Sequence, residues 1–346
     1  MIEGLDIADA RVWRRKEAKA RSIEAGALAD AMRDEENLVW VDLLDPSPEQ
    51  LRQLVLRLGV SGTVVEDALA PHERAKVTAH ADHLFFTVYA TQLATDTLAE
   101  HADGGSHLSV TRISGIVLPR ALITIRVSSP HCEAFDMGEV VKRWDDSASL
   151  MTQGSGALVH GLLDYVVDGH FDTIQSLDDA LEGLEETLFA ERRTGSEFVR
   201  TTYAIRKDLV ALRRVVLPMR EVVNALMRHR GRTGGPLDAW YDDLYDHVLR
   251  ASEWTESLRD MVSTVFETNL SLQDARLNTI MKKLAAWAAI ISVPTAVTGW
   301  FGQNVPYPGF QAHSGLVMSV VVIVALSGGL YAIFRHNDWL DRKSVV

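Results

Sequence analysis

Two long runs without a charged residue lie near the end of the chain. The first extends from Leu284 to Asn304 and the second from Gly315 to Phe334. A helix needs about 20 mostly apolar residues to cross the hydrocarbon core of a bilayer. Each run therefore predicts a membrane-spanning helix, and the short uncharged segment between the runs predicts a loop that joins the two spans.

A helical pattern of apolar residues precedes these runs and begins after Gly154-Ser155-Gly156. The pattern breaks near Thr194-Gly195-Ser196 and again at 231–236, and both breaks predict helix-to-helix turns. From 237 to 304 there is no glycine before Gly299 and only one proline. One helix of this length would extend on the order of 100 Å. The sequence therefore predicts a helical stalk that continues directly into the first span.

Short β-type segments alternate with helical segments in the first 150 residues. The predicted strands are 38–43, 83–93 and 109–127, the last divided by Pro119-Arg120. This division has the length of a hairpin connection, which indicates antiparallel pairing. Ser47 is predicted to cap a helix that has proline at its first position. We therefore predict an α+β fold in which a mixed α/β domain precedes the stalk and the two spans.

Charge sets the predicted orientation in the membrane. The loop between the spans has no charged residue, and basic residues flank the other ends of the spans: Lys282, Lys283, Arg335, Arg342 and Lys343. The positive-inside rule then places both termini in the cytoplasm of a cell membrane. The predicted boundaries are 1–155 for a cytosolic α/β domain, 156–283 for the stalk, 284–304 and 315–335 for the spans, 305–314 for an external loop, and 336–346 for a cytosolic tail.

The overall composition narrows the class of function. The chain has 47 acidic and 35 basic residues and a formal net charge of -12, which argues against a nucleic-acid partner and is compatible with collecting cations. No phosphate-cradling glycine loop with a following lysine occurs, so no nucleotide partner is predicted. The lone Cys132 excludes an internal disulfide. We predict no enzymatic activity and no catalytic residues.

One face of the long helix is small or polar along most of its length. This face, called the polar seam, consists of residues at alternating spacings of three and four: Glu267, Ser271, Asp274, Asn278, Met281, Ala285, Ala288, Ser292, Thr295, Gly299 and Gly302. Small residues at this spacing allow helices to approach closely, so helix packing alone is one interpretation. The other interpretation is a pore. Because two spans are too few to enclose a pathway, a pore requires a symmetric oligomer that turns each seam residue into a ring.

Rings of this composition suit a particular kind of ion. Amide and hydroxyl oxygens match a hard, hydrated divalent cation, which gives up its water reluctantly. Met281 and the adjacent Leu284 would form apolar rings able to gate by dewetting.

The order of a cytosolic α/β domain, a long helix, Gly-x-Asn at its outer end, a short loop and a second span resembles the CorA family of magnesium and cobalt channels. The resemblance covers essentially the whole chain. It is strongest from Asp243-Leu244-Tyr245-Asp246-His247 to Asn304, and looser at Arg74-Ala75-Lys76-Val77 and at Leu217-Pro218-Met219-Arg220-Glu221.

The resemblance implies a homopentamer whose first spans line the pore and whose second spans face lipid. It implies that the Asn304 side chains receive the hydrated ion at the outer mouth. It places Thr295, Gly299 and Asn278 on pore-lining positions, and Met281 and Leu284 at a hydrophobic constriction. It also implies regulatory Mg2+ binding at Asp243, with Glu267 as a second acidic position. Asp96 is our candidate for the carboxylate that the α/β domain contributes to the Asp243 site.

Two features depart from the family pattern. Gln303 stands where the family signature Gly-Met-Asn has methionine. If the Asn304 side chain and backbone select the ion, position 303 serves mainly packing and function survives. If the Gln303 side chain instead points into the mouth, it adds a second amide ring and alters ion preference. The loop has Tyr307-Pro308-Gly309-Phe310-Gln311 in place of an acidic residue, which predicts weaker attraction of cations. Zinc-transporting relatives also vary in this region, so the sequence leaves both Mg2+ and Zn2+ as candidates for the transported ion.

The main functional hypothesis is influx of Mg2+ and Co2+ down the electrochemical gradient, gated by cytosolic Mg2+ bound between subunits. One alternative is ZntB-like, proton-coupled transport of Zn2+, or metal efflux, on the same scaffold. Another is a membrane-anchored sensor without transport. The predicted partners are further copies of this chain, the lipid bilayer and divalent cations, among which Ni2+ is also a candidate.

Acidic residues recur at helical spacing in the first part of the predicted stalk region. They are Asp164, Asp168, Asp172, Asp178, Asp179, Glu182, Glu185 and Glu186. The pattern predicts a solvated helix face, and the functional alternative is an acidic surface that concentrates cations near the pore exit.

Overall fold

The computed structural model describes residues 7–14, 19–70, 73–93, 106–127, 135–147, 152–189, 195–231 and 234–340. Contacts divide the chain into two compact units. We call Met1–Thr264 the sheet unit and Val265–Val346 the span unit.

Seven strands of the described residues form one sheet in the sheet unit. They are β1 (Ile7–Arg14), β2 (Arg21–Ser22), β3 (Asn37–Leu44), β4 (Lys76–Ala79), β5 (Leu84–Leu93), β6 (Leu108–Leu118) and β7 (Ala121–Val127). Their order across the sheet is β2-β1-β3-β7-β6-β5-β4. Strands β3 and β7 are parallel, and the other neighbours are antiparallel. Among these strands, β3 and β7 therefore form the one parallel pair, and they lie far apart in the sequence.

The helices are α1 (Leu28–Arg33), α2 (Pro48–Arg57), α3 (Thr63–Leu69), α4 (Met137–Asp146), α5 (Ser155–Phe189), α6 (Gly195–Arg230), α7 (Pro236–Phe301) and α8 (His313–His336). Local sequence explains some of these limits. Ser47 accepts a hydrogen bond from the Gln50 amide, and the Gln50 side chain accepts one from Ser47 N, which forms a capping box at the start of α2.

Alternating residues of the strands divide the core between the two faces of the sheet. On β3, Val39, Val41 and Leu43 pack on the side of α1–α3, while Leu38 and Trp40 pack on the other side. That second core also takes residues from α4, α5, α6 and the first part of α7. The period of two along the strand thus builds a layered unit with helices on both faces.

A buried ion pair lies within the parallel pair of strands. Asp42 Oδ2 of β3 is 2.5 Å from Arg126 Nη2 of β7, and the Thr124 hydroxyl donates to Asp42 Oδ1 at 2.6 Å. Arg126 also donates to Phe135 O at 2.9 Å. Because an unpaired buried charge is costly, a shifted register between β3 and β7 would be strongly destabilised.

The structure confirms the predicted α+β fold and the single long helix. Helix α7 ends at Phe301, three residues before the end predicted for the first span. Gly302 N makes the last bond to Thr298 O at 2.9 Å, and Gln303 N then turns to Trp300 O at 3.3 Å. Gly302, Gln303 and Asn304 therefore lie in the turn after the helix. The parallel pairing of β3 and β7 was not predicted.

Candidate functional site

The structure places most of the predicted pore residues on α7. Asn278, Met281, Leu284, Ser292, Thr295 and Gly299 all lie within this helix and are exposed. Met281 and Leu284 are each 65% exposed, and further exposed apolar side chains follow along the helix at Trp287 and Ile291. Helices α7 and α8 are both long and apolar enough to cross a membrane. The exposed apolar surface of the span unit is therefore consistent with lipid or with neighbouring chains.

A different face of α7 packs within the span unit. Its buried or half-buried residues are Ala286, Ala289, Ile290, Val293, Pro294, Val297 and Phe301. The half-buried residues of α8 recur in the same way, at Ser319, Val322, Ile323, Ser327, Leu330 and Phe334. With 3.6 residues per turn, Thr295 and Gly299 point away from the packed face of α7. Packing against the second span therefore does not account for the polar seam.

The hydroxyl groups near the end of α7 donate to their own helix. Ser292 Oγ donates to Ala289 O at 2.8 Å, and Thr295 Oγ1 donates to Ile291 O at 3.4 Å. Thr298 Oγ1 donates to Pro294 O at 2.8 Å. A hydroxyl that uses its proton in this way keeps acceptor capacity on its oxygen. These side chains therefore present oxygen acceptors, which hydrated cations prefer.

The two glycines near the helix end have different environments. A Cβ atom at Gly302 would lie 2.9 Å from Thr298 O, so the turn itself requires glycine there. A Cβ atom at Gly299 would meet no atom within 4 Å. Nothing inside the described chain therefore explains a glycine at 299, whereas close approach of another chain would explain it.

The predicted regulatory residues are not brought together within one chain. Asp243 lies on α7, its side chain is 68% exposed, and its Oδ2 is 3.7 Å from His247 Nε2. Glu267 is exposed on the same helix, and Asp96 lies outside the described residues. The parts of the chain that the structure describes contain no group of three or more side chains placed to hold a metal ion. Asp243 and Glu267 are therefore available to ligands from outside the chain.

Part of the acidic stretch on α5 is paired, which corrects its interpretation as a solvated face. Arg143 of α4 is 2.6 Å from Asp168 and 3.6 Å from Asp164. Burial raises the pKa of Asp164, and burial lowers the pKa of its neighbour His160. The sequence signal was the position of Asp164 between the buried Leu163 and Val166. Asp172, Asp179, Glu182 and Glu186 are exposed as predicted.

Arg143 and Asp168 also line a cleft of about 510 Å³ beside α5. Its polar lining also includes Asp136, Asp172 and Thr173. Because Arg143 neutralises the nearest carboxylate, this cleft does not present a purely acidic surface to a cation.

A buried histidine gives the sheet unit a pH-dependent stability. His170 Nε2 lies 2.8 Å from Tyr89 O, and burial lowers the pKa of His170 to about 4. The folded-state pKa is below the ordinary 6.5, so this contribution to stability is complete above pH 6.5 and is lost as the pH falls towards 4. We expect the free energy of unfolding to drop by about 2 kcal/mol between pH 7 and pH 5 from this group.

Urea unfolding of the full chain in detergent, followed by tryptophan fluorescence, would measure this dependence. His170→Gln keeps a donor for Tyr89 O but does not titrate, so its pH slope should be shallower. His229→Gln, at an exposed position of α6, is the control and should leave the slope unchanged. Equal slopes for His170→Gln and the wild type would contradict the assignment.

Comparison with known proteins gives the family. The profile described as "CorA-like Mg2+ transporter protein" matches residues 35–336. The cobalt/magnesium transport protein CorA of Thermotoga maritima is 26% identical over 319 residues, which cover 89% of this chain and 85% of that protein. The zinc transport protein ZntB of Cronobacter sakazakii is also 26% identical, over 328 residues and 90% of each protein.

A solved structure supports the fold. The structure of the CorA magnesium transporter from Methanocaldococcus jannaschii aligns with a TM-score of 0.71 at 21% identity, covering 95% of this chain and 98% of that chain. At this level of sequence identity, the alignment shows a similarity of fold alone. Together with the match of the family profile to most of the chain, it confirms the resemblance drawn from the sequence. The chain belongs to the CorA-like Mg2+ transporter family, whose members are membrane transporters of divalent metal ions.

Proposed function

We propose that the chain is the subunit of a homopentameric channel that admits Mg2+, and also Co2+, into the cytoplasm. The membrane potential drives the flow, at roughly 2.3 kcal/mol per charge for each 100 mV. The sheet unit and both termini are cytoplasmic in this proposal, and the loop between the spans faces outside. Five copies of α7 line the pathway, and five copies of α8 face the lipid.

The polar seam is the observation that carries this proposal. Its residues in the span unit are exposed and point away from the face that packs within the unit. Polar groups on a membrane-spanning helix are costly in contact with lipid, so they mark a water-filled path or a neighbouring chain. A ring of subunits supplies both. It also accounts for Gly299, whose surroundings in the single chain are open.

In this channel the hydrated ion first meets Asn304. This residue is exposed and makes no side-chain hydrogen bond within the described residues. The carboxamide ring accepts the ion's bound water, and Gln303 beside it is also exposed. Although the loop has no acidic residue, the C-terminal end of α7 lies next to Asn304 and bears the negative end of the helix dipole. Five such helix ends give the mouth a favourable potential for cations.

Below the mouth, Gly299, Thr295, Ser292 and Asn278 line the pathway with backbone, hydroxyl and amide groups. Met281 and Leu284 form the hydrophobic gate, since rings of exposed apolar side chains close a narrow pore by dewetting. Water must return to the constriction before an ion passes.

Regulation is assigned to carboxylates of the cytoplasmic part. Asp243, Glu267 and Asp96 bind Mg2+ at subunit boundaries when the internal concentration is high. Without the ion, carboxylates of adjacent subunits repel each other and favour an open, mobile assembly. Bound Mg2+ removes the repulsion and stabilises the closed state, which links internal Mg2+ to the gate.

A second candidate is proton-coupled Zn2+ transport, or metal efflux, on the same scaffold. The chain is 26% identical both to a cobalt/magnesium transport protein and to a zinc transport protein, which supports this second candidate. Gln303 in place of methionine and the uncharged loop lie where ion preference is set. The third hypothesis is a membrane-anchored sensor without transport. Such an anchor does not require an exposed polar seam.

Flux through purified protein in liposomes separates these hypotheses. Uptake of Mg2+, Co2+, Ni2+ and Zn2+ would be measured under an imposed potential, with and without a proton gradient. The proposed channel carries Mg2+ with the potential alone. Zn2+ flux that depends on the proton gradient would favour the second candidate, and the absence of any metal flux would leave the sensor.

A further inference from the structure

The loop after α7 is closed by one aromatic side chain. The Tyr307 hydroxyl donates a hydrogen bond to Phe301 O at 3.2 Å. The Tyr307 ring also packs edge-on against Phe301, with centroids 5.0 Å apart, and against Phe310, at 5.4 Å. The last residue of the helix and the middle of the loop are therefore joined across the Gly-Gln-Asn turn.

The hydrogen bond occupies a carbonyl group that the helix cannot satisfy. The last carbonyl groups of an α-helix have no partner within the helix. At the end of α7, Thr298 O accepts from Gly302 N at 2.9 Å and Trp300 O accepts from Gln303 N at 3.3 Å. Phe301 O has no such backbone donor among these bonds, and the Tyr307 hydroxyl supplies one. Asn304 lies between these bonded positions.

The far side of the loop is also fixed. Gly309 has a φ of 89°, and a Cβ atom at Gly315 would clash with Gly309 O. Ala312 N donates to Gly309 O at 3.0 Å. These glycines bring the loop into close contact with the start of α8. The turn that presents Asn304 is thus held from both ends, while the Asn304 side chain itself stays exposed.

We propose that Tyr307 is a positioning residue for ion reception, which acts by fixing the turn that presents Asn304. The role in ion reception rests on the proposed function, whereas the fixed turn is tested independently of transport. A ring of carboxamides accepts a hydrated ion well only when each is held in place, because ordering five loose turns opposes binding. Tyr307 supplies this order without touching the ion.

Two measurements on Tyr307→Phe test the inference, because this variant removes the hydroxyl and keeps the ring. In liposomes, the apparent KM for the transported ion should rise about fivefold, the effect of one typical hydrogen bond, with the maximal rate little changed. Tyr331→Phe is the matched control. Tyr331 is an exposed tyrosine of α8 whose hydroxyl has no hydrogen bond within the described residues, and its KM should stay at the wild-type value.

The second measurement does not depend on transport. The only cysteine is Cys132, so a Cys132→Ser background allows a nitroxide label at Val305→Cys, an exposed position in the turn. Label mobility should increase with Tyr307→Phe and stay the same with Tyr331→Phe. Unchanged mobility would overturn the fixed turn, whatever the transport result. Increased mobility with an unchanged KM would overturn the role in ion reception and leave the proposed channel intact. Absence of metal flux in the wild type would overturn the proposed channel and, with it, the role of Tyr307 in ion reception.

Discussion

Asn304→Ala is expected to abolish divalent-cation uptake while the oligomer still assembles. Asn304 is exposed beyond the end of α7 and has no packing role in the span unit, so its loss should not disturb the fold. Each hydrogen bond to a charged ligand contributes about 1.5 to 3 kcal/mol. Loss of only two such bonds at the carboxamide ring lowers uptake by at least about 100-fold. Ion flux into liposomes measures the loss, and size-exclusion chromatography in detergent measures assembly.

Asn337→Ala is the matched control, because Asn337 is an exposed asparagine that directly follows α8. It should transport like the wild type. Normal uptake by Asn304→Ala would contradict the assignment of this residue to the pore mouth and the assignment of the polar seam to the pore. Loss of uptake together with loss of the oligomer would instead assign Asn304 to assembly.

Asp243→Ala should make transport far less sensitive to internal Mg2+. The carboxylate is 68% exposed on α7, and among the described residues only His247 lies near it as an ion-pair partner. Removing one carboxylate ligand from each subunit boundary weakens Mg2+ binding, and a loss of about 1.4 kcal/mol corresponds to a tenfold change. We therefore expect the internal Mg2+ concentration for half-inhibition to rise at least about tenfold. Flux from liposomes loaded with graded Mg2+ measures this directly.

Asp246→Ala supplies the control, since Asp246 is an exposed aspartate three residues further along the same helix. It should keep wild-type inhibition. Equal sensitivity of Asp243→Ala and the wild type would exclude Asp243 from regulation, and a shift of equal size in both variants would indicate a general effect of surface charge. Neither result would bear on the role of Asn304.

The elements that local patterns define were predictable from sequence. Strands β3 and β5 and the β6–β7 hairpin lie within a residue or two of their predicted positions, and Ser47 caps α2 as expected. Alternation along a strand and a capping residue are signals carried by neighbouring residues. The parallel pairing of β3 with β7 is different. It joins segments about 80 residues apart, and no local pattern specifies that partner.

The site was predictable only as far as a single helix defines it. The polar seam follows from spacing along α7, and its exposure in the structure agrees with that spacing. The end of the helix at Phe301 depends on competition between hydrogen bonds of Gly302 and Gln303, which composition does not encode. The pairing of Asp164 and Asp168 with Arg143 depends on where α4 packs. Any site that needs ligands from several chains depends on the assembly.

The order of the strands along the chain affects the timing of synthesis. All seven strands precede residue 128, and one complete core of the sheet, with α1–α3, draws only on residues before that point. The segment between β7 and the first span takes on the order of ten seconds to translate, whereas mixed α/β domains fold in milliseconds to seconds. We therefore expect the sheet to form before an apolar span leaves the ribosome. A change to Asp42 or Arg126 that delays β3–β7 pairing would present unpaired strands and a membrane segment together, which favours aggregation during biogenesis.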